Sequence, residues 1–187
     1  MEDTHSSESQ DKSKSLLDSI HQKGVQMKWT EQCHFRKTEK LKIEEKKFNI
    51  YLTLLILGAT AYSYISLAYK LPLLVNVIAA VSGTFAVILS YERDKFRFSE
   101  NIRKHRNAAD SIFHLVTKVR ILRLRIISRT IMLEDALKEF DNISNEYDAI
   151  CGAAPDIDTN TYKEVQKDFL KTQEVTLEEI KVVFPEY

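Results

Sequence analysis

Two uncharged stretches separated by one lysine constrain this chain more than any other feature. Residues Phe48 to Tyr69 carry no ionisable side chain other than tyrosine, and after Lys70 the same holds from Leu71 to Tyr91. The runs are 22 and 21 residues long. At about 1.5 Å rise per residue each makes a helix of roughly 32 Å, enough to cross a hydrocarbon core. A buried helix of a soluble protein is usually shorter and keeps a polar stripe, so both runs are read as membrane spans. Pro72 stands at the start of the second, where its missing N–H costs nothing, and the short connection forces a tight antiparallel hairpin.

The flanks orient that hairpin. Arg36, Lys37, Lys40, Lys42, Lys46 and Lys47 precede it, and Arg93, Lys95, Arg97, Arg103, Lys104 and Arg106 follow it, whereas the turn holds a single lysine. The positive-inside rule therefore predicts both termini in the cytoplasm. Tyr51, Tyr69 and Tyr91 stand near the span ends, where tyrosine anchors at the interface. The start, Met1 to Lys14, is polar and lacks the apolar core of a signal peptide. The mean hydropathy of −0.28 conceals all this, because the apolar residues are concentrated in one block and the rest is strongly charged. With 27 basic and 27 acidic residues, global charge points to no nucleic-acid or acidic partner. Cys33 and Cys151 lack C-x-x-C spacing and read as reduced thiols.

The spans carry small and polar faces. On the second, Asn76, Ala79, Ala80, Gly83, Ala86 and Ser90 recur at steps of three and four, and Ala79-x-x-x-Gly83 permits close helix approach. On the first, Thr53, Thr60 and Ser63 cluster on one side beside Gly58 and Ala59. Two readings stand: these faces pack the hairpin against itself, or they line an aqueous path built by several copies, since one hairpin is too thin to enclose a pore. Proton pumps, ion-coupled carriers and voltage sensors keep ionisable groups at membrane depth; with none in either span, a passive pore or a pure anchor remains.

Beyond the spans a stripe runs through Ala109, Ile112, Val116, Val119, Arg123, Ile126, Thr130, Leu133, Leu137, Phe140, Ser144 and Tyr147. Nine of the twelve are apolar or aromatic, matching the 3.5-residue seam of a coiled coil. This predicts one long helix from about Asp94 to Ile150. Its seam is to be buried by identical copies or by the chain's own amino-terminal segment, where Leu16, Leu17, Ile20, Met27, Trp29, Cys33, Leu41 and Ile43 are apolar and Gly24 is expected to interrupt. Gly152 to Asn160 then breaks the helix, and a short terminal helix follows. Thr161-x-x-Glu164 and Thr176-x-x-Glu179 have capping-box form, and Pro185 closes the last segment.

Within the stripe helix, Lys118, Arg120, Arg123, Arg125 and Arg129 form a basic run, either a solvated face or a contact for a phosphate or partner. No glycine-rich cradle or interleaved aromatics accompany it, so direct nucleic-acid binding is not expected. The five histidines show no i, i+3 or i+4 pair for a metal. No nucleophile elbow, Walker loop or dinucleotide fingerprint occurs. Glu134, Asp135, Glu139 and Asp141 read as exposed helix charges. No enzyme, catalytic residue, metal or cofactor is expected.

The expected fold is thus an all-α membrane protein, a two-helix transmembrane hairpin with long cytoplasmic helices. It divides into a polar amino terminus and cytoplasmic helix (1–47), the hairpin (48–91, spans 48–69 and 71–91), the long helix (92–151) and a terminal loop with short helices (152–187). With His105-Arg106-Asn107-Ala108-Ala109 opening the long helix and Tyr147-Asp148-Ala149-Ile150 leading to Ala154-Pro155, this order resembles the SLATT domain family, two-transmembrane effectors of bacterial conflict systems. The resemblance covers about Trp29 to Tyr162. It implies an antiviral effector that oligomerises and permeabilises the inner membrane once a separate sensor or nucleotide signal activates it, with a nucleotide second-messenger synthase or a reverse transcriptase encoded nearby. A membrane-anchored adaptor whose cytoplasmic helix recruits a partner is the alternative.

Overall fold

A computed structural model describes residues 3–69 and 72–172, and among them every regular element is a helix. In order these are α1 (Asp3–Tyr69), α2 (Leu73–Phe96), α3 (Phe98–Ile127), α4 (Leu133–Ala153) and α5 (Thr159–Thr172). They form two compact units, one from Met1–Lys37 with Lys104–Tyr187 and one from Thr38–Arg103. The turn at Lys70 and Leu71, and the expected Thr176 cap and Pro185, lie outside the described residues.

In the first unit, the amino-terminal part of α1 packs with α3, α4 and α5. The expected interruption at Gly24 does not occur, for α1 runs through it unbroken. No proline falls between Asp3 and Tyr69, and one glycine costs a helix only about 1 kcal/mol. Gly24 is instead a point of close approach, because a Cβ there would meet Val119 Cγ1 at 3.3 Å. Around it Leu16, Ile20 and Met27 of α1 close a core with Ile112, Leu115, Val119 and Leu122 of α3 and with Ala136, Ile143 and Tyr147 of α4. The apolar stripe is therefore buried by the chain's own amino-terminal segment. A second cluster joins Trp29 and Cys33 to Val165 and Phe169 of α5, with the Trp29 and Phe169 rings 5.4 Å apart. Burial pushes the Cys33 thiol up to about 12 despite a hydrogen bond from Trp29, which leaves it a poor nucleophile.

The single helix expected from Asp94 to Ile150 is divided at two places. Arg97, with φ 42°, ends α2 before α3 begins. The second break follows Ile127. Arg129 N–H donates to Ile126 O at 3.1 Å and Thr130 N–H to Arg125 O at 2.9 Å, the paired bonds of a Schellman motif. Arg129 occupies its left-handed position with φ 55°, where glycine is usual. The chain then reverses: Lys118 pairs with Glu146 at 2.7 Å and Arg125 with Glu139 at 2.8 Å, so α3 and α4 are antiparallel. The stripe's phase has already shifted on α3, where Leu122 is buried and Arg123 exposed, and beyond the break Ala136 and Ile143 of α4 are buried while Leu137 is exposed.

Helix α5 begins at Thr159 with Asp158 as its cap, ahead of the expected Thr161 cap. Asp158 Oδ1 accepts from Thr161 N–H at 2.9 Å and Oδ2 from Thr161 Oγ1 at 2.8 Å, an N-cap in the usual sense. Lys37 of α1 donates to the same carboxylate at 2.9 Å. Burial alone would raise the Asp158 carboxyl, but the hydrogen bonds from Lys37 and Thr161 hold it well below the usual carboxylate range. Nearby, His34 of α1 and His105 of α3 are buried with their Nδ1 atoms 2.9 Å apart, so one ring donates and the other accepts, and at least one is neutral. Burial, then the charge of His105, lowers His34 to about 4; burial, then Lys37, lowers His105, with Asp158 opposing.

Two outcomes follow from this geometry. Replacing Arg129 with glycine relieves a left-handed residue that costs about 1–2 kcal/mol and should raise the thermal midpoint, whereas a continuous helix would be weakened by about 1 kcal/mol. For the histidine pair, the folded chain binds fewer protons than the unfolded chain between the ordinary imidazole value of 6.5 and about 4. Stability is therefore complete above that window and lost as pH falls through it. Thermal midpoints followed by circular dichroism should drop across this range, and the double variant His34→Gln/His105→Gln should lose that slope until Asp158 protonates at lower pH.

Candidate functional site

In the second unit the carboxy-terminal part of α1 lies antiparallel to α2 and the start of α3. Contacts recur in reverse order: Ser66 and Tyr62 with Asn76, the rings of Phe48 and Phe98 at 6.1 Å, and Glu45 with Ser99 at 3.2 Å. The inner face of α1 reads Leu52, Leu55, Ala59, Tyr62 and Ser66, steps of three and four that place one residue per turn on one side. At its far end Asn76 Oδ1 accepts from Tyr62 Oη at 2.7 Å and from Ser66 Oγ at 2.8 Å. Asn76 was legible as a polar residue in an apolar run; its two partners were not, because tyrosine and serine near a span end read equally well as interface anchors.

Thr53, Thr60 and Ser63 lie elsewhere. All three are exposed, and each hydroxyl donates to the carbonyl four residues back, Asn49, Ile56 and Ala59 respectively, at 2.8, 2.8 and 2.9 Å. Such a bond satisfies a hydroxyl without any neighbouring helix. The hydroxyl face of α1 thus points away from the face that meets α2, which removes it from packing the pair against itself. On α2, Ala86 is buried, while Ala80 and Ser90 are exposed; the side chain of Ala79 lies outside the described ones. Gly83 is half-buried, yet a Cβ there would meet nothing within 4 Å, and the same holds for Gly58.

Within the uncharged runs the outer surface of the pair is rich in apolar side chains: Leu54, Leu57, Ile65, Val77, Val81, Phe85 and Val87 are each at least half exposed or close to it. Within α1 the apolar segment is long enough to cross a membrane, with mean hydropathy 1.4 and only 6% of it buried. In α2 the apolar stretch Asn76–Tyr91 is shorter than the roughly 18 residues that mark a span by themselves.

The basic run divides among different environments. Lys118 and Arg125 pair with Glu146 and Glu139 of α4, and Arg129 forms the turn after α3. Arg120 and Arg123 turn to a cavity of about 290 Å³ between α1, α3 and α5, which His21 and Lys28 also line. Among the described residues no group of three or more His, Cys, Asp and Glu is placed to hold a metal ion.

The segments that carried the resemblance to a known family make contacts within the first unit. His105 meets His34, Arg106 lies over the Phe35 ring at 5.2 Å, and Ala108 and Ala109 are buried. Tyr147 and Thr30 hydroxyls are 2.8 Å apart, and Asp148 accepts from Lys23 at 3.1 Å. No curated protein and no solved structure matches the chain. Residues 16–180, nearly its whole length, match the family described as SMODS and SLOG-associating 2TM effector domain family 4, and the chain belongs to that family.

Proposed function

We propose that the chain is a membrane effector of a bacterial antiviral defence system, whose copies associate through the apolar helix pair and permeabilise the inner membrane on activation. As a member of a two-transmembrane effector family with a lipid-compatible segment in α1, it is a membrane protein. The basic flanks favour both termini in the cytoplasm. Activation comes from a separate sensor or a nucleotide signal; the family description's association with SMODS and SLOG proteins supports a synthase as partner, and a reverse transcriptase encoded nearby is the other candidate.

One observation carries this reading. Thr53, Thr60 and Ser63 face away from α2 with hydroxyls already satisfied, and Gly58 and Gly83 have open space above their backbones. Small residues open to the outside let a second helix approach closely in lipid, and hydroxyls can turn from their own carbonyls to water when copies enclose a path. Thr53 and Thr60 are the candidate wetted positions; Asn76, expected beside them, is engaged by Tyr62 and Ser66 on the face between α1 and α2. Gly83 and Gly58 are the candidate contacts between copies.

The open space makes the test clean. A leucine at position 83 or 58 meets no atom of its own chain within 4 Å at Cβ and improves helix propensity by roughly 1 kcal/mol, so the folded chain should insert normally. In bacteria expressing the chain with its activated neighbouring genes, a voltage-sensitive dye should report depolarisation for the wild type and none for Gly83→Leu or Gly58→Leu present at equal levels in the membrane. A preserved potential in wild-type cells that still resist infection would replace the pore with a membrane-anchored adaptor.

A further inference from the structure

We infer that the cavity between α1, α3 and α5 is a binding site for a small organic phosphate, with Arg120 and Arg123 holding the phosphate. The inference goes beyond the role given to the membrane helices and does not require it.

Charge along α3 is unevenly compensated. Of the four cations between Lys118 and Arg125, the outer two are neutralised by carboxylates of α4, Lys118 by Glu146 at 2.7 Å and Arg125 by Glu139 at 2.8 Å. Helix α4 reaches these two and leaves the inner two aside. Neither Arg120 nor Arg123 is in an ion pair with a described residue. They stand three residues apart on one face of the helix, an arrangement of like charges that costs a helix a few tenths of a kcal/mol. Both line the same cavity of about 290 Å³.

The opposite wall adds two nitrogen-bearing side chains. His21 and Lys28 of α1 line the cavity, seven residues and therefore two turns apart, and among the described residues no lining residue is acidic. Lys28 is itself held by Glu31 at 2.9 Å, so among the described residues the two guanidinium groups are the charge without a carboxylate partner. Guanidinium is the side chain best matched to phosphate, offering paired N–H donors in a fixed fork.

Behind the charges the wall is apolar. Ile20 and Val119 are core residues, and the Phe169 ring lines the same space. Gly24, also at the wall, brings α1 close to Val119 and puts no side chain into the cavity. An apolar wall facing a few convergent cations is the usual design of a small-molecule site, and the volume is at the lower end of the roughly 300–1,000 Å³ such sites have. The occupant is thus a phosphate ester whose remaining part is compact and apolar or aromatic, of mononucleotide size or smaller.

The test uses the purified full chain in neutral detergent and isothermal titration calorimetry with adenosine 5′-monophosphate, then inorganic phosphate. The nucleotide should bind more tightly than phosphate alone. The double variant Arg120→Gln/Arg123→Gln should bind it about tenfold more weakly or worse, as expected for lost charge-assisted hydrogen bonds, with an unchanged helical circular dichroism spectrum. Lys118→Gln, altered just outside the cavity, should bind as the wild type does. Repeating the titration in nanodiscs with and without phosphatidylglycerol separates two sources of the phosphate: nucleotide binding that persists assigns a soluble ester, and nucleotide displaced by the anionic lipid assigns a headgroup. No heat from either probe and no displacement by lipid, or binding that the double variant retains, overturns the site. Conductance enters none of these readouts, so the outcome is independent of whether the helix pair forms a pore.

Discussion

The first unit depends on the burial of one apolar face of α3 against α1. Ile112, Leu115 and Leu122 are almost wholly withdrawn from solvent against Ile20 and Met27, and each such side chain is worth roughly 1.5–3 kcal/mol relative to exposure. The surrounding ion pairs between α1 and the carboxy-terminal helices are partly exposed and contribute about 0–1 kcal/mol each. The apolar contact therefore sets the helix arrangement, and the polar contacts fix its register. At Gly24 this contact is close, for any larger residue would press on Val119. The packing of α4 and α5 follows, because Tyr147 and Phe169 have only the surface that α1 and α3 have already built to cover them.

Much of this was legible in the residues. The two uncharged runs mark the parts of α1 and α2 that lack charged side chains, and the stripe from Ala109 onward named most of the α3 core. Gly152 to Asn160 also contains the break before α5. What escaped was local backbone geometry. Arg129 closes α3 in a position where glycine or asparagine would have announced a stop, so the apolar period ran on across a reversal and slipped on its far side. Gly24 read as an interruption because sequence alone does not distinguish a glycine that ends a helix from one that lets a neighbour approach.

The functional residues were harder to place than the fold, for a related reason. Thr53, Thr60 and Ser63 share a side with one another, but which side of α1 meets α2 depends on bulk: Leu52, Leu55 and Tyr62 cover more apolar area than two threonines and a serine. The basic run shows the same limit. Its five members are equivalent in sequence, and only the partners that α4 brings separate the compensated cations from Arg120 and Arg123. The short segments that suggested the resemblance turned out to be helix contacts.

Asn76 has a mechanical consequence. One carbonyl oxygen on α2 receives hydroxyls from Tyr62 and Ser66, residues one helical turn apart on α1, so it acts as a pawl between two teeth. Sliding α2 along α1 by a turn breaks at least one of the two bonds, in surroundings where few other donors replace it. Screw-like motion within the pair is therefore obstructed at this end, while tilting about Asn76 leaves both bonds intact. Any rearrangement of these helices that keeps the asparagine engaged is a pivot, with its largest displacement at the end remote from Pro72.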